Sequence, residues 1–520
     1  MTAEQLPAGM ADWPAWTPGD AQLGELELLL SGAFAPLDGY LNSADLAAVT
    51  ARRELADGTP WPVPLTLVVP ATVLPENTGI PDSAGKLVLQ DPEGSPLAVL
   101  DISERVFADS ASSTLRLAGK VTALRAPEHG PFRALRKPPG EVRAAAGSGP
   151  VLALATSRPL TRRHIGQLKH LAGQIRSQDR DGNPQAVRIL LLPLVAGPAA
   201  VVRRPEALVR SVLAAASQLP ESTVVVPVPL PSRSNPDEDL AAQAIVAAAY
   251  GATHVLSDRV GTIRSEEFKA FGVQIVTEPE WAYDPASEVW RPLSLIEPGA
   301  ERGELSDGEL GALLDAGDPV PAWLVPEPVA AELKRARPPR SSRGVVVFMT
   351  GLSGSGKSTL ARDLRDALSE RGDRTVSLLD GDLVRRLLSA GLTFSREDRD
   401  LNIMRIGYVA TEIARHGGIA ICAPIAPYAA ARAAVRSMVT EAGDFVLVHV
   451  STPLAECEAR DRKGLYAKAR AGIIGSFTGI SDPYEEPVDA DLIVDTSVLS
   501  RHDAVAAVLG LLTRGGWLQR

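Results

Sequence analysis

The chain has 520 residues, of which 45% are hydrophobic and 22% charged, with a formal net charge of −10. That length is too great for one core and predicts two to four domains, while the acidic balance excludes a dedicated nucleic-acid binder, which would show a basic stripe. Two cysteines, Cys422 and Cys457, are too few for a disulfide framework and point to a reducing, cytoplasmic compartment.

In chain order, Met1–Trp13 lacks a charged leader followed by an apolar stretch, so no signal peptide is expected. Residues 1–150 are rich in Pro and Gly and hold short runs at Pro64–Pro70, Lys86–Gln90 and Pro96–Ile102, which predict a mixed, mainly β domain. From Val151 the texture changes. Strand-like runs at Val151–Thr156, Val187–Val195, Ser222–Leu230, Thr253–Asp258 and Val273–Glu278 alternate with Ala/Leu-rich helical stretches over residues 151–335, the pattern of a parallel sheet flanked by helices. The longest apolar run, Ile189–Val202, is too short to span a bilayer and contains two prolines, so no membrane partner is expected. Lys334–Gly344 is basic, Pro-containing and aperiodic, and residues 336–343 are expected to form a solvated linker. A second α/β domain then occupies 344–520, with strands at Gly344–Thr350, Arg374–Gly381, Gly418–Ile425, Asp444–Ser451 and Asp491–Thr496.

The most specific signal lies at residues 351–359, "GLSGSGKST". Gly351, Gly356, Lys357 and Ser358 fit the phosphate-loop pattern G-x-x-x-x-G-K-[ST], with an apolar strand before and an amphipathic helix after. Glycines let successive backbone N–H groups turn toward phosphate oxygens, and the helix that follows adds its positive end. Gly351, Ser353, Gly354, Ser355, Gly356, Lys357, Ser358 and Thr359 are therefore the expected ATP-binding residues. Lys357 would neutralise β/γ oxygens, and the Ser358 hydroxyl would ligate Mg²⁺. Downstream, "LLDGDLVRRLL" ends a strand at Asp380 and Asp382 and places Arg385 one turn further on. A carboxylate there can take a proton from an acceptor hydroxyl, and an arginine can hold an anionic acceptor. A helix N-cap with acidic first-turn residues would show the same text.

Residues 344–520 resemble adenosine 5′-phosphosulfate (APS) kinase. The resemblance rests on six ordered blocks: "GLSGSGKST", "DGDLVR", "GLTFSREDRDLNIMRIG", "PIAPYAAAR", "KGLYAKARAG" and "FTGISDPYEEP". It implies Asp382 as base for the 3′-hydroxyl of APS and Asp380 near Mg²⁺. It places Arg385, Arg399 and Asn402 on the sulfate–phosphate part, with Ile425 also in that pocket. Phe394 and Phe477 would stack on the two faces of the adenine, and Lys463, Leu465 and Tyr466 lie in the segment that closes over the substrates. Paired arginines and an aromatic clamp suit a dianion bearing a flat base. Where the family usually has Ile-Ser-Pro-Tyr, this chain has Ala426, which excludes a phosphoenzyme there and leaves direct in-line transfer. A GTPase would show Asn-Lys-x-Asp, and none occurs.

Upstream, roughly residues 20–335 look like ATP sulfurylase, through Leu26–Val49, Leu190–Gly197, Gly251–Gly261 and Pro319–Leu333. The implied fold class is α/β throughout: an N-terminal, mainly β (PUA-like) domain, a Rossmann-like nucleotidyltransferase domain and a C-terminal P-loop kinase domain with a parallel sheet. The sulfurylase motifs are altered. On Gln-x-Arg-Asn-Pro-x-His-x-x-His the chain offers Ala155, Ser157, Arg158, Pro159, Thr161 and His164, and a long cation, Arg163, stands where a Gly or Ala normally lets the nucleotide approach. Ser257-Asp258-Arg259 has lost the Gly-Arg-Asp order, and Gly311 replaces an arginine expected to meet phosphate. Each missing guanidinium costs an anion pocket about 2–5 kcal/mol. The expectation is thus an ATP- and Mg²⁺-dependent APS kinase that makes 3′-phosphoadenylyl sulfate (PAPS), whose degenerate upstream part, with Thr161, His164 and Arg158 as its remaining site residues, serves as scaffold or regulator. The alternatives are a bifunctional PAPS synthase, or an upstream pocket re-cut for another nucleotide or anion with Arg158, Arg162 and Arg163 as cationic lining. ATP and APS are the expected small-molecule partners, and a homo-oligomer is expected because relatives of both halves assemble.

Overall fold

Alternating apolar residues in the first part of the chain build an antiparallel sheet, and near-continuous apolar runs further on build two parallel ones, as burial on one face or on both requires. The structure, a computed structural model, describes residues 7, 9–74, 85–108, 113–127, 130–147, 149–175, 185–197, 201–202, 204–257, 265–393, 395–461 and 464–519. The side chains of 265–267, 382 and 383 lie outside that set, as do residues 258, 259, 394 and 463 entirely, so nothing further is said of Asp258, Arg259, Phe394 or Lys463. The chain divides into two units, Met1–Leu310 with Val320–Ala336 and Gly311–Pro319 with Arg337–Arg520. Among the described residues no helix is long and apolar enough to cross a membrane.

In the first unit, β1 (Ala15–Trp16), β2 (Gly39–Tyr40), β3 (Leu67–Pro70), β4 (Gly85–Gln90), β5 (Pro96–Phe107) and β6 (Thr114–Ala123) form a sheet ordered β1-β4-β5-β6-β2, with β3 also on β6. Next, β7 (Val151–Thr156), β8 (Arg188–Pro193), β9 (Val224–Val225), β10 (His254–Ser257) and β11 (Gln274–Thr277) make a parallel sheet ordered β11-β10-β7-β8-β9. One hydrophobic cluster runs from Phe34, Trp61 and Leu100 to Leu192, Val255 and Ile275, so both sheets share a core. A hairpin of β12 (Trp281–Asp284) and β13 (Val289–Pro292) follows, and the sequence pattern did not indicate it.

In the second unit, β14 (Val345–Thr350), β15 (Val376–Asp380), β16 (Ile419–Ala423), β17 (Asp444–Val450) and β18 (Leu492–Val494) are parallel in the order β15-β16-β14-β17-β18. Residues Val345 to Met349 of the central β14 are all 0% exposed. The helix Lys357–Arg371 packs Leu360, Ala361, Leu364 and Leu368 onto one face of this sheet, and Arg396–Arg415 packs Ile403, Ile406, Ala410 and Ala414 onto the other. Strand order reverses at β14, so ligands are expected beyond its carboxyl end.

The basic stretch before β14 is not the solvated connector that its composition predicts. Lys334–Ala336 closes the helix Glu327–Ala336, and the arginines after it are ion-paired inside the second unit. Arg343, 5% exposed, donates to Asp315 (2.8 Å) and to Asp444 (2.7 and 2.9 Å). Arg337 forks onto Asp315 at 2.6 and 2.9 Å. The Arg337 guanidinium also fills the space that a Cβ at Gly311 would need. Trp517 donates its indole N–H to Asp444 (2.8 Å), with Arg340 over its ring at 5.0 Å. Two carboxylates far away in sequence therefore make it possible to bury this charge. Burial by itself would raise the Asp315 pKa, but the bonds from Arg337 and Arg343 hold it well below the usual carboxylate range.

A depressed carboxylate stabilises the fold above its unfolded pKa, and that contribution is lost as pH falls through the folded value. Asp315→Asn should therefore destabilise the second unit by about 2 kcal/mol at neutral pH, because Arg337 and Arg343 lose the negative charge they share. The difference from wild type should shrink on acidification. Scanning calorimetry of the full chain checks this, the relevant transition being the one that an ATP analogue moves upward.

Candidate functional site

At the carboxyl end of β14 the chain turns through residues 351–356 and enters the helix Lys357–Arg371. Gly356 caps that helix with φ +99°, a left-handed conformation that side chains resist, and an added Cβ would lie 2.9 Å from Thr496 Oγ1. A Cβ at Gly351 would collide with the Val450 carbonyl. The loop is held by its own backbone acceptors. The Ser355 carbonyl accepts from Thr452 (3.0 Å) and Thr496 (2.8 Å), and Arg460 fixes Thr496 through its hydroxyl (2.7 Å) and carbonyl (2.9 Å). Lys357, buried, donates from Nζ to the carbonyls of Gly351 (2.8 Å) and Leu352 (2.7 Å). Ser353, Ser358 and Thr359 stay partly accessible, and Gly354 is exposed. All eight predicted loop residues are thus brought together in one turn.

The acceptor-side residues surround the same strand ends. Asp380 is the last residue of β15, and Asp382 lies in the helix Gly381–Leu387 that follows directly. Arg385, half-buried, sits at the end of that helix, 3.4 Å from the Thr393 carbonyl. Ile425 follows β16, and its carbonyl accepts from Thr350 Oγ1 (2.7 Å) and the Gly351 N–H (3.3 Å), joining the acceptor side to the phosphate loop. Asn402 is buried, and its Oδ1 has no hydrogen-bond partner among the described residues.

Arg399 lies in the helix Arg396–Arg415, with its guanidinium engaged by the protein itself. Its guanidinium donates to Asp482 (2.5 Å), Thr478 Oγ1 (3.2 Å) and the Ser476 carbonyl (2.7 Å), so it braces the loop that carries Phe477. Asp482 also accepts from the Tyr428 hydroxyl (2.9 Å), and Arg396 stacks over the Tyr428 ring at 4.4 Å. Leu465 opens the helix Leu465–Arg470, beside Phe477 through its neighbour Tyr466. Arg460, Thr452, Thr496 and Asp482 went unnoticed in the sequence, although the Arg-Asp just before "KGLY" and the Asp-Thr ending β18 are signals of a kind.

The first unit holds a small cleft lined by Arg158, Thr161, His164, Glu304, Asp307 and Leu324 among others. Thr161 caps the helix Arg162–Gln174, and its Oγ1 lies 2.8 Å from His164 Nδ1. The Glu304 carboxylate accepts from the Thr161 hydroxyl and from Arg163 Nε (2.9 Å). Arg158 pairs with Asp307 (2.7 Å), and Arg162 donates to the Ala322 carbonyl (2.7 Å). The three arginines weighed as a cationic lining are thus each engaged within the protein, Arg158 and Arg163 by carboxylates and Arg162 by a backbone carbonyl.

Residues 343–495 match the family model of adenylylsulphate kinase, and residues 2–120 match that of a PUA-like domain. Sulfate adenylyltransferase from Phaeosphaeria nodorum is 33% identical over 566 residues, covering 99% of this chain and 96% of its own. The Aspergillus fumigatus protein of that name is 32% identical over 572 residues, covering 100% and 96%. Among solved structures, the hexameric APS kinase from Thiobacillus denitrificans superposes with a TM-score of 0.75 at 34% identity, over 98% of this chain and 95% of that one.

Left-handed backbone costs a side-chain-bearing residue about 1–2 kcal/mol, so Gly356→Ala, which also presses on Thr496, should weaken binding of a non-hydrolysable ATP analogue about tenfold. Calorimetric titration of the full chain measures this, with an unchanged melting profile showing that the fold survives.

Proposed function

Because the chain belongs to the sulfate adenylyltransferase family and carries an adenylylsulphate kinase segment at 343–495, we propose that its second unit phosphorylates APS on the 3′-hydroxyl with ATP, yielding PAPS and ADP. The observation that supports this reading best is the phosphate loop at the end of the central strand, facing the acidic end of β15 across β16. Lys357 and the loop N–H groups hold the triphosphate and take up charge on the transferring phosphoryl group. Arg385, Asn402 and Ile425 line the acceptor pocket, where the unpartnered Asn402 Oδ1 is suited to receive a donor from the substrate. Phe477 backs the adenine, and Arg399 holds the Phe477 loop in place. Asp382 takes the proton from the 3′-oxygen as that oxygen bonds to the γ-phosphorus and the bond to the β-phosphate oxygen breaks.

Mg²⁺ fits the oxygen donors present: the Ser358 hydroxyl and the Asp380 carboxylate are the residues that would hold it, few enough to leave phosphate and water positions open. When bound, it neutralises charge on the β- and γ-phosphate oxygens. The hexameric state of the Thiobacillus denitrificans relative supports a homo-oligomer here too.

The second reading adds sulfate adenylylation by the first unit and is favoured by the names of the full-length relatives. Opposed to it are the internal ion pairs of Arg158 and Arg163, since a sulfate or triphosphate would have to displace two carboxylates. Asp382→Asn should lower PAPS formation from supplied APS about 10²–10⁴-fold with little change in APS affinity. Incubating the full chain with ATP, sulfate and pyrophosphatase but no APS separates the readings: no PAPS is expected of the kinase alone, and PAPS is expected if both units act.

A further inference from the structure

The short helix Leu465–Arg470 begins on a carboxylate. Asp461 accepts from the backbone N–H groups of Leu465 (2.8 Å) and Ala467 (3.0 Å), which fixes the first turn of the helix. Tyr466, in that turn, is only 3% exposed; besides lying against Cys457, it makes two unlike contacts that matter here. Its ring meets Phe477 edge-on, with centroids 4.9 Å apart and planes at 75°. Its hydroxyl donates to the carbonyl of Ser353 in the phosphate loop, at 2.8 Å. Burial raises the Tyr466 pKa, so the hydroxyl keeps its proton and remains a donor.

Phe477 is itself held from behind. Arg399 bonds the Ser476 carbonyl, Thr478 Oγ1 and Asp482, and so ties residues 476–482 to the helix Arg396–Arg415. A contiguous set of contacts thus runs from the acceptor-side helix through Arg399, Phe477 and Tyr466 to the peptide of Ser353. Each link is either a hydrogen bond or a ring contact, and movement of Phe477 must alter how the closely packed Tyr466 ring seats.

We propose that Tyr466 is a positioning residue that couples the acceptor pocket to the phosphate loop, so that acceptor and nucleotide each tighten the binding of the other. The proposal rests on the reading of the second unit as an APS kinase only for the identity of the acceptor. The ring follows the placement of Phe477, and the hydroxyl transmits that placement to the loop. A ligand that orders Phe477 then lowers the cost of ordering the loop for the second ligand, and linkage requires the effect to be reciprocal. Tyr466→Phe separates the two contacts, because it keeps the ring and removes the hydroxyl.

The experiment is calorimetric titration of the full chain, wild type and Y466F, with a non-hydrolysable ATP analogue in the presence and absence of saturating APS. In wild type, APS should tighten the analogue about tenfold. In Y466F the factor should fall below about twofold, while affinity for APS alone stays near the wild-type value because the ring still supports Phe477. A packing role alone would not move this ratio. Equal coupling in the two proteins, or wild-type analogue affinity that APS leaves unchanged, would overturn the role of Tyr466 while leaving the kinase reading intact. Failure of wild type to bind APS at all would overturn the kinase reading and the coupling with it.

Discussion

The second unit depends on one tight backbone turn, six residues long, between a strand buried on both faces and the helix after it. β14 cannot shift, because Val345 to Met349 are enclosed between β16 and β17. The helix Lys357–Arg371 cannot shift either, because Leu360, Leu364 and Leu368 are seated on the sheet. The loop must therefore pass between Val450 and Thr496 in the space left, and only residues without Cβ fit at 351 and 356. Packing of the core thus fixes the N–H groups of the loop in an anion-binding curve, and the Ser355 carbonyl is tied to Thr452 and Thr496 so that the curve persists. The backbone geometry of the loop follows from that rigidity.

The acceptor side is built on the same logic with charged groups. A buried guanidinium is costly unless it is fully bonded, and Arg399 meets that condition with Asp482, Thr478 and the Ser476 carbonyl. The result is a braced loop carrying Phe477. Asp482 receives Tyr428 as well, so helix, loop and the segment after β16 converge on one carboxylate. Arginines in the first unit are also paired internally, Arg163 with Glu304 and Arg158 with Asp307.

Much of this was readable in the residues. All five strands of the second unit stand where apolar runs predict them, and the three central ones, β14, β16 and β17, are buried on both faces, which announces a strand without reference to partners. The phosphate loop was equally plain, because its glycines answer a local backbone demand. What escaped was long-range. The hairpin β12–β13 is stabilised by Trp290 donating to the Trp323 carbonyl and by Trp281 lying against Gly166, contacts that no window of neighbouring residues contains. The stretch Arg337–Arg343 reads as a tether until Asp315 and Asp444 are brought to it. The partners of Arg158 and Arg163 lie 149 and 141 residues away, so a cationic lining looked open in the sequence and is neutralised in the fold. Arg399 illustrates the same point: the residue was found, but Asp482, its partner, was not.

The direct measurement of the central claim is the regiochemistry of phosphoryl transfer by the wild-type chain. With ATP labelled in its γ-phosphoryl group and APS as acceptor, phosphorus NMR of the product should place the label on the 3′-oxygen of an intact adenylyl sulfate. Label found only as inorganic phosphate, or on another oxygen of the acceptor, would contradict it.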